Sequence, residues 1–444
     1  MANIGFISLG CAKNQVDCER MMYRVQEAGL TVQPDVVGSD VVVINTCGFI
    51  DSAKSEAIEH ILQMGQLKEQ GLVGKILVTG CLSQRYQNEI LEQMPEVDGI
   101  LGTGSYTEVV RAIEKLLRGE TVQDFGSIDA PEQETGRILT TPEHYAYIKI
   151  AEGCDNRCAY CIIPYLRGKF RSRAMDDVLY EARLLASSGV KELIVVAQDT
   201  SRYGIDLPGG KRRLPELLRE LCKIEGFRWI RLHYVYPDEI DDDLIDVMAT
   251  EPKIVKYLDI PIQHCNDKIL RLMNRRGDGT YLRNLFAKLR QRIPGLILRT
   301  SVITGLPGEG EEEFAELCAF LKDIRMERVG AFPFSPEEGT PAAEMDYPDG
   351  EIAQSRAQMI ETIQSRIMDE YNASMIGRVM TVLVDGYDEE FEQFFGRTYG
   401  DSPEIDGRVW IATDEPIREG SFINVCIDGL IDGDLSGYIV EESL

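Results

Sequence analysis

Basic residues are scarce in this chain. Its 444 residues carry 47 Lys and Arg against 74 Asp and Glu, a net charge of −27. That balance excludes broad affinity for nucleic-acid phosphates and favours basic partners, while leaving room for a local basic groove. No apolar run approaches the ~20 residues that cross a bilayer, so no membrane association is expected. The opening MANIGFISLG has no basic segment ahead of a long apolar one and does not read as a secretory signal. The expected location is the cytoplasm. Low-complexity tracts are missing too. The eleven cysteines are an odd number, which argues against a closed disulfide framework. In a reducing compartment, clustered cysteines are more often metal ligands or catalytic groups.

What is present suffices for two to four domains, with a hydrophobic content of 44% typical of globular chains. Three early segments share one form: IGFISLGC ending at Cys11, VVVINTC ending at Cys47 and KILVTGC ending at Cys81. Each is an apolar, β-branched run closed by a cysteine. Helical patterns lie between them, Asn14–Ala28 stopped by Gly29 and Ser52–Glu69 stopped by Gly71. Alternating strands and helices imply a parallel sheet, whose ligands sit beyond the carboxyl ends of the strands. Cys11, Cys47 and Cys81 all fall at such ends, so they are expected to converge.

The pattern weakens over residues 126–143, which are polar and rich in turn formers and read as a linker. A second βα series follows, with strands expected at Tyr145–Ala151, Leu193–Ala197, Ile230–Tyr234, Tyr257–Pro261, Ile297–Ile303 and Val329–Phe334. Helices such as Asp176–Ser188 and Glu311–Ile324 separate them. Six units are too few for a full eight-stranded barrel and fit a partial, open one. From about Ile376, four short runs (VMTVLVDGYD, GRVWIAT, SFINVCIDGL and LSGYIVEE) read as a small antiparallel β-barrel. This last region, 376–444, holds sixteen acidic residues, four arginines and no lysine.

The chemistry concentrates in EGCDNRCAYC, where Cys154, Cys158 and Cys161 stand in a Cys-x3-Cys-x2-Cys array. Structural metal sites are closed by four ligands; catalytic ones keep a position open. Three thiolates on a four-iron cube leave one iron free, where the amino and carboxylate groups of S-adenosylmethionine fit. The competing reading is zinc, which needs a fourth ligand; the nearest histidine, His144, precedes the array by ten residues. GLPGEGEEEF lacks the Gly-Lys-Ser/Thr ending of a phosphate loop and reads as a turn into a helix with acids at its N-terminus. Cys18, Cys222, Cys265, Cys318 and Cys426 lack ligand spacing and read as packing residues, with Cys265 set apart by lying at a strand end.

The array just after the first strand of a βα series resembles the signature of radical S-adenosylmethionine enzymes. Tyr160 matches the usual aromatic there, which the resemblance places near the adenine. A three-cysteine α/β domain, a radical core and a terminal small barrel together resemble the methylthiotransferases over essentially the whole chain. The implied fold class is α/β: an N-terminal parallel-sheet domain (1–125), a linker (126–143), a central partial (β/α)6 TIM-like barrel of radical S-adenosylmethionine type (144–375) and a C-terminal antiparallel β-barrel of TRAM, OB-like, type (376–444). The resemblance also implies two 4Fe–4S clusters, an auxiliary one on Cys11, Cys47 and Cys81 and a radical one on Cys154, Cys158 and Cys161.

One branch of that family modifies an adenosine in transfer RNA, the other an aspartate in small-subunit ribosomal protein twelve. SLGCAKNQVDCE, NTCGFIDSA, YAYIKIAEGC, QDTSRYG, RLHYVYP and SPEIDG resemble the protein-modifying branch. Ala12 and Cys18 depart from its usual proline and serine, neither at an implied ligand. Charge supports the same branch, because a TRAM domain gripping RNA should be basic, whereas an acidic one suits a basic ribosomal protein. RNA contact is then expected only through the ribosome. The implied reaction replaces a β-hydrogen of the aspartate by a methylthio group, with S-adenosylmethionine as radical source and methyl donor. A low-potential donor such as flavodoxin supplies the electron. Strand-end residues expected to line the cofactor pocket are Gln198, Asp199, Thr200, Gln263, His264 and Gly305. Two alternatives compete: methylthiolation of transfer RNA, for which Arg167, Arg171 and Arg173 would supply a basic path, and an iron–sulfur carrier or sensor without turnover.

Overall fold

The structure, a computed structural model, describes residues 1–131, 133–413 and 415–440. The N-terminal sheet comprises β1 (Asn3–Ser8), β2 (Thr31–Gln33), β3 (Val41–Thr46), β4 (Lys75–Gly80), β5 (Gly99–Leu101) and β6 (Val122–Asp124). All pairs are parallel, in the order β2-β1-β3-β4-β5-β6. The order reverses at β1/β3, the switch point where doubly wound sheets bind ligands. β3 is buried on both faces along its whole length, as its Val-Val-Val-Ile run requires. β2, β5 and β6 are three residues each and carry no run long enough to stand out in sequence.

Three helices complete the functional side of this domain: α1 (Ala12–Glu27), α2 (Asp51–Glu69) and α3 (Cys81–Tyr86). α1 buries two kinds of surface. Val16, Met21, Met22 and Val25 face apolar neighbours, while Lys13, Asn14, Asp17, Glu19 and Arg20 are also buried. A helix whose polar side is buried must meet charged partners, and here they come from the next domain.

The central domain holds β7 (Tyr145–Lys149), the two-residue strands β8 (Ala151–Glu152) and β9 (Arg171–Ser172), then β10 (Glu192–Val196), β11 (Trp229–Leu232), β12 (Ile254–Asp259), β13 (Ile297–Thr304) and β14 (Arg328–Pro333). β8 and β9 pair with each other. The remaining six form one parallel sheet in sequence order, from β7 and β10 out to β14. All six expected strands are present. Alternation divides their side chains. Ala146, Ile148, Leu193 and Val195 pack in the helix-side core, whereas Tyr145, Tyr147, Ile194 and Val196 pack against Val16 and Ala12 of α1. The inner face of the partial barrel is thus shared with the first domain.

The C-terminal domain is a closed barrel of β15 (Val379–Asp388), β16 (Gln393–Arg397), β17 (Val409–Ala412), β18 (Phe422–Ile431) and β19 (Asp434–Ile439). β17 and β19 pair in parallel and the other neighbours are antiparallel. β16, QFFGR, lies outside the four runs read from the sequence. Its two phenylalanines favour a strand, but the flanking acids and Gly396 break up the run, and pairing to β15 and β17 completes it. The loop from Thr398 to Asp406 leaves this barrel and crosses the inner face of the central sheet. Tyr145 Oη donates to Glu404 (3.1 Å), Ser402 Oγ meets His233 Nε2 (3.0 Å), Tyr257 Oη donates to Asp406 (2.7 Å) and Arg328 pairs with Asp401 (2.7 Å).

Residues 126–143, expected as a linker, contain no helix or strand among the described residues. They are nevertheless tied down. Thr140 N and Oγ1 both donate to Glu19, and buried Arg137 pairs with Glu19 (3.4 Å) and Glu181 (3.0 Å). Glu132, Asp414 and residues 441–444 of the expected segments lie outside the described residues.

Candidate functional site

Each cysteine of the N-terminal trio follows a strand of the same sheet edge: Cys11 after β1, Cys47 after β3, Cys81 after β4. The loops close on each other. A Cβ on Gly10 would stand 2.7 Å from Cys47 Cβ, and one on Gly48 would stand 2.8 Å from the Leu82 backbone, next to Cys81. Cys11 has exposed surface, and Lys13 and Arg167 face its thiol. Burial opposes its ionisation, but Lys13 and Arg167 outweigh that and bring its thiol below the ordinary range. Burial pushes Cys47 up to about 12 and also raises Cys81, against the pull of Arg167. Loading a cluster on these thiols must therefore release protons.

The second trio sits on the loop after β8. Cys154 N donates to Gly168 O (3.1 Å) and Cys161 N to Cys158 O (3.0 Å), which coils the loop so that its sulfurs share one space. Burial pushes Cys154 up to about 11 and raises Cys161 further, with the neighbouring thiols adding to it. Arg275 closes one side: Nη1 lies 3.6 Å from Cys158 Sγ and 3.1 Å from Tyr160 Oη, and Nη2 donates to Pro261 O (2.6 Å). Tyr236 lies under its guanidinium (4.4 Å).

Both trios have the donor set of a cluster with one open iron. Among the described residues no three His, Cys, Asp or Glu are arranged to hold a single metal ion. His144, the fourth ligand a zinc site would have needed, stands before β7, at the opposite end of that strand from the loop. It is buried, 2.8 Å from Asp385 of the C-terminal barrel. Gln198 Oε1 is buried without a hydrogen-bond partner, beside the loop, so a bound group has a polar atom to meet.

The expected pocket residues divide by their partners. Gln198 Nε2 donates to Glu152 (2.5 Å), and Asp199 accepts from Asn156 Nδ2 (2.7 Å) within the cysteine loop, so both brace that loop. Tyr160 is held by Arg275. Gln263 has φ +68° at the end of β12, uncommon outside glycine and often found at working sites. Thr200 Oγ1 donates to His233 O (2.7 Å). His264 is fully buried, with Nδ1 accepting from Asn266 N (3.0 Å) and Nε2 3.3 Å from Glu309. Gly305 has φ +74°, and a Cβ there would strike Ala353 at 2.4 Å; this glycine accommodates a helix. Cys18 and Cys265 are in the apolar cores.

Several residues at the junction carry no sequence signal beyond being polar. Arg167, from the short helix Ile163–Arg167 that follows Cys161, crosses into the first domain. Its Nε lies 3.3 Å from Cys81 Sγ, and its other nitrogens reach Asp17 (2.5 Å), Asn14 (2.9 Å) and Glu152 (3.2 Å). Lys149 joins the same pair, Asp17 at 2.5 Å and Glu152 at 2.8 Å. Lys54 (3.1 Å) and Arg85 (2.5 Å) both grip Glu337, beyond β14. The basic path imagined for RNA does not form. Arg167 and Arg173 are buried in ion pairs, and Arg171 donates to the carbonyls of Arg167 and Lys169.

Known proteins share this organisation. The model described as "Uncharacterized protein family UPF0004" matches residues 3–102, that of the radical SAM superfamily residues 148–321, and that of the TRAM domain residues 376–440. The ribosomal protein uS12 methylthiotransferase RimO of Thermoanaerobacter sp. (strain X514) is 44% identical over 442 residues, 98% of this chain and 100% of that protein. The same-named protein of Lachnoclostridium phytofermentans is 47% identical over 436 residues, 98% of this chain and 99% of that protein. Among solved structures, the radical S-adenosylmethionine methyltransferase TsrM of Kitasatospora setae, with its tryptophan substrate and an S-adenosylmethionine analogue bound, superposes with TM-score 0.56 at 12% identity. The match covers 87% of this chain and 79% of that one. The cobalamin-dependent radical enzyme OxsB gives 0.51 at 13% identity, over 82% and 56%. At such identities these two speak for the fold alone.

Proposed function

This chain belongs to the ribosomal protein uS12 methylthiotransferase family, the RimO proteins, and on that premise we propose that it replaces a hydrogen on the β-carbon of an aspartate in uS12 by a methylthio group. The observation that carries the reading is the pairing of two open-ligand cysteine trios across one interface, joined by Arg167. Residues Cys154, Cys158 and Cys161 would hold the radical 4Fe–4S cluster, and Cys11, Cys47 and Cys81 the auxiliary one. Bound there, the clusters and S-adenosylmethionine would supply the chemistry of radical hydrogen removal and of methylthio donation.

The chain's own residues supply position and seclusion. Asp199 and Gln198 hold the radical loop by its Asn156 and Glu152 ends. Arg275 and Tyr160 wall the other side of Cys158. Arg167, Lys149, Asp17 and Glu152 fix the first domain over the barrel mouth, with charges matched two against two, so burial leaves none unpaired. The loop from Thr398 to Asp406 closes the inner face from the C-terminal side and keeps bulk water from that end. The acidic C-terminal barrel presents Asp388, Glu389, Glu390 and Glu392 near the turn between β15 and β16, a field that draws a basic protein and repels RNA. A low-potential donor of the flavodoxin kind supplies electrons, and the reaction runs in the cytoplasm; among the described residues no helix is long and apolar enough to cross a membrane.

The test separates the trios. Cys158→Ala should abolish 5′-deoxyadenosine formation, whereas Cys47→Ala should keep cleavage of S-adenosylmethionine and lose sulfur insertion. Product formation by Cys47→Ala at the parent level would remove the auxiliary cluster from the reaction.

A further inference from the structure

The junction between the two trios is crowded with cations, and nearly all are spoken for. Arg167 and Lys149 share Asp17 and Glu152. Arg173 is bound to Glu134 and Glu181. Arg275 spends its donors on Pro261 O and Tyr160 Oη, beside Cys158. Lys13 is different. It is two residues from Cys11 and nine-tenths buried, at 8% exposure. Among the described residues its ammonium makes no ion pair with a carboxylate; it rests 3.4 Å from the centroid of the Tyr234 ring, with the Tyr234 hydroxyl, the Cys11 thiol and Glu152 as its remaining polar neighbours.

That platform is built at some cost. Tyr234 follows β11 with φ +58°, a region that bulky residues seldom occupy. It is held there by Thr200 N and Oγ1 on its carbonyl (3.0 and 3.1 Å) and by its own N–H on Asp259 (3.3 Å). Strain kept at a strand end points to a working site. Lys13 comes from the domain bearing the auxiliary trio and Tyr234 from the barrel bearing the radical trio, so the ammonium sits at the seam between the two domains. Cys11 shares its thiol between Lys13 and Arg167, and Glu152 is already paired with Arg167 and Lys149, so this buried ammonium has no carboxylate of its own and would gain from one that arrives. An aspartate side chain brings one, whereas an adenine base brings none.

We propose that Lys13, seated on Tyr234, is the specificity-determining residue that receives the side-chain carboxylate of the acceptor aspartate and so presents its β-carbon between the two trios. This rests on the reading that the substrate is an aspartate of uS12. A charge-assisted contact at a desolvated site is worth an order of magnitude or more in binding.

The test uses the cluster-loaded protein without S-adenosylmethionine and measures dissociation constants for uS12 and for uS12 with asparagine at the acceptor position. The parent is expected to favour the aspartate form by about tenfold or more. Lys13→Met should erase that preference by weakening the aspartate form alone, and Lys13→Arg should keep most of it. Iron content is measured on each variant; should Lys13→Met fail to load clusters, Lys13→Gln takes its place. A preference that survives loss of the ammonium overturns the subsite, as does a parent that binds both forms equally. Equal weakening of both forms would assign Lys13 to holding the Cys11 loop and would also overturn it. A parent that neither binds nor modifies uS12 fails earlier: it brings down the substrate reading, and the subsite with it.

Discussion

Arg167 Nε lies 3.3 Å from Cys81 Sγ. The donor belongs to the helix just after the radical array and the acceptor to the trio of the other domain. Arg167 lies six positions after Cys161, so one short segment spans from one cysteine trio to the other. The same guanidinium bonds Asp17, Glu152 and Asn14, which makes it the central tie of the interface. Removing it would strand two buried carboxylates on Lys149 alone. Arg167→Met is therefore expected to destabilise the apo-protein by about 3–5 kcal/mol, the usual loss for breaking a buried pair, with Arg167→Lys recovering part. Urea unfolding at neutral pH measures this; an unchanged midpoint would show the tie to be dispensable.

The count of clusters follows from the two trios. Fully loaded parent protein should hold about eight irons per chain, four for each cubane. Replacing all of Cys11, Cys47 and Cys81 by alanine, or all of Cys154, Cys158 and Cys161, should halve that. Iron analysis together with Mössbauer spectra reads the count. About four irons in the parent would leave one trio without a cluster.

Glu181 is a knot among three segments. It faces Arg20 of α1 (3.5 Å), Arg137 of the strap (3.0 Å) and Arg173 of the barrel (2.6 Å). Burial alone would raise its carboxyl, but the three arginines hold it down to about 2. A folded pKa below the unfolded value, about 4.3, gives stability that is complete above the unfolded value and lost as pH falls toward 2. The loss expected from this group is on the order of 3 kcal/mol. Glu181→Gln should flatten the acid limb of the stability–pH curve between pH 5 and pH 2, on the order of those limits. A limb as steep as the parent's would locate the acid sensitivity elsewhere.

The loop from Thr398 to Asp406 joins the C-terminal barrel to the central sheet mainly through Asp406, which accepts from Tyr257 Oη (2.7 Å) and Ser402 N (2.9 Å) and faces Arg299 (3.6 Å). Asp406→Ala is expected to cost about 2–3 kcal/mol, since it leaves buried donors unmet, and Asp406→Asn less. In coupled turnover, the alanine variant should form more 5′-deoxyadenosine per methylthiolated product, because the inner face is no longer sealed. A ratio equal to the parent's would limit the loop to a structural tie.

Much of this was legible beforehand. The spacing of Cys154, Cys158 and Cys161 is local, and Cys11, Cys47 and Cys81 each close a β-branched run, so the strand-end rule placed them together. The six long strands of the barrel showed for the same reason. What stayed hidden depends on distance in space. Arg167 and Arg173 read as a basic stretch until their carboxylates, Asp17 and Glu181, appeared from other segments. Lys13 carries no signal of its own in the sequence, because Tyr234, which lies beneath it, is more than two hundred positions away. β16 has two strand-favouring phenylalanines but is short and cut by Gly396, so no run stands out before its pairing is seen. The 126–143 segment looked loose because Glu19 and Glu181, which fasten it, lie outside it.

The central claim is tested most directly by one anaerobic assay. Cluster-loaded protein, S-adenosylmethionine and a strong reductant would be given uS12 and transfer RNA together, and mass spectrometry would locate any methylthio group. The expected result is a methylthio group on the β-carbon of a uS12 aspartate with the transfer RNA untouched. A methylthio group on an adenosine, with uS12 unmodified, would contradict the account of both the acidic barrel and the Lys13 seam.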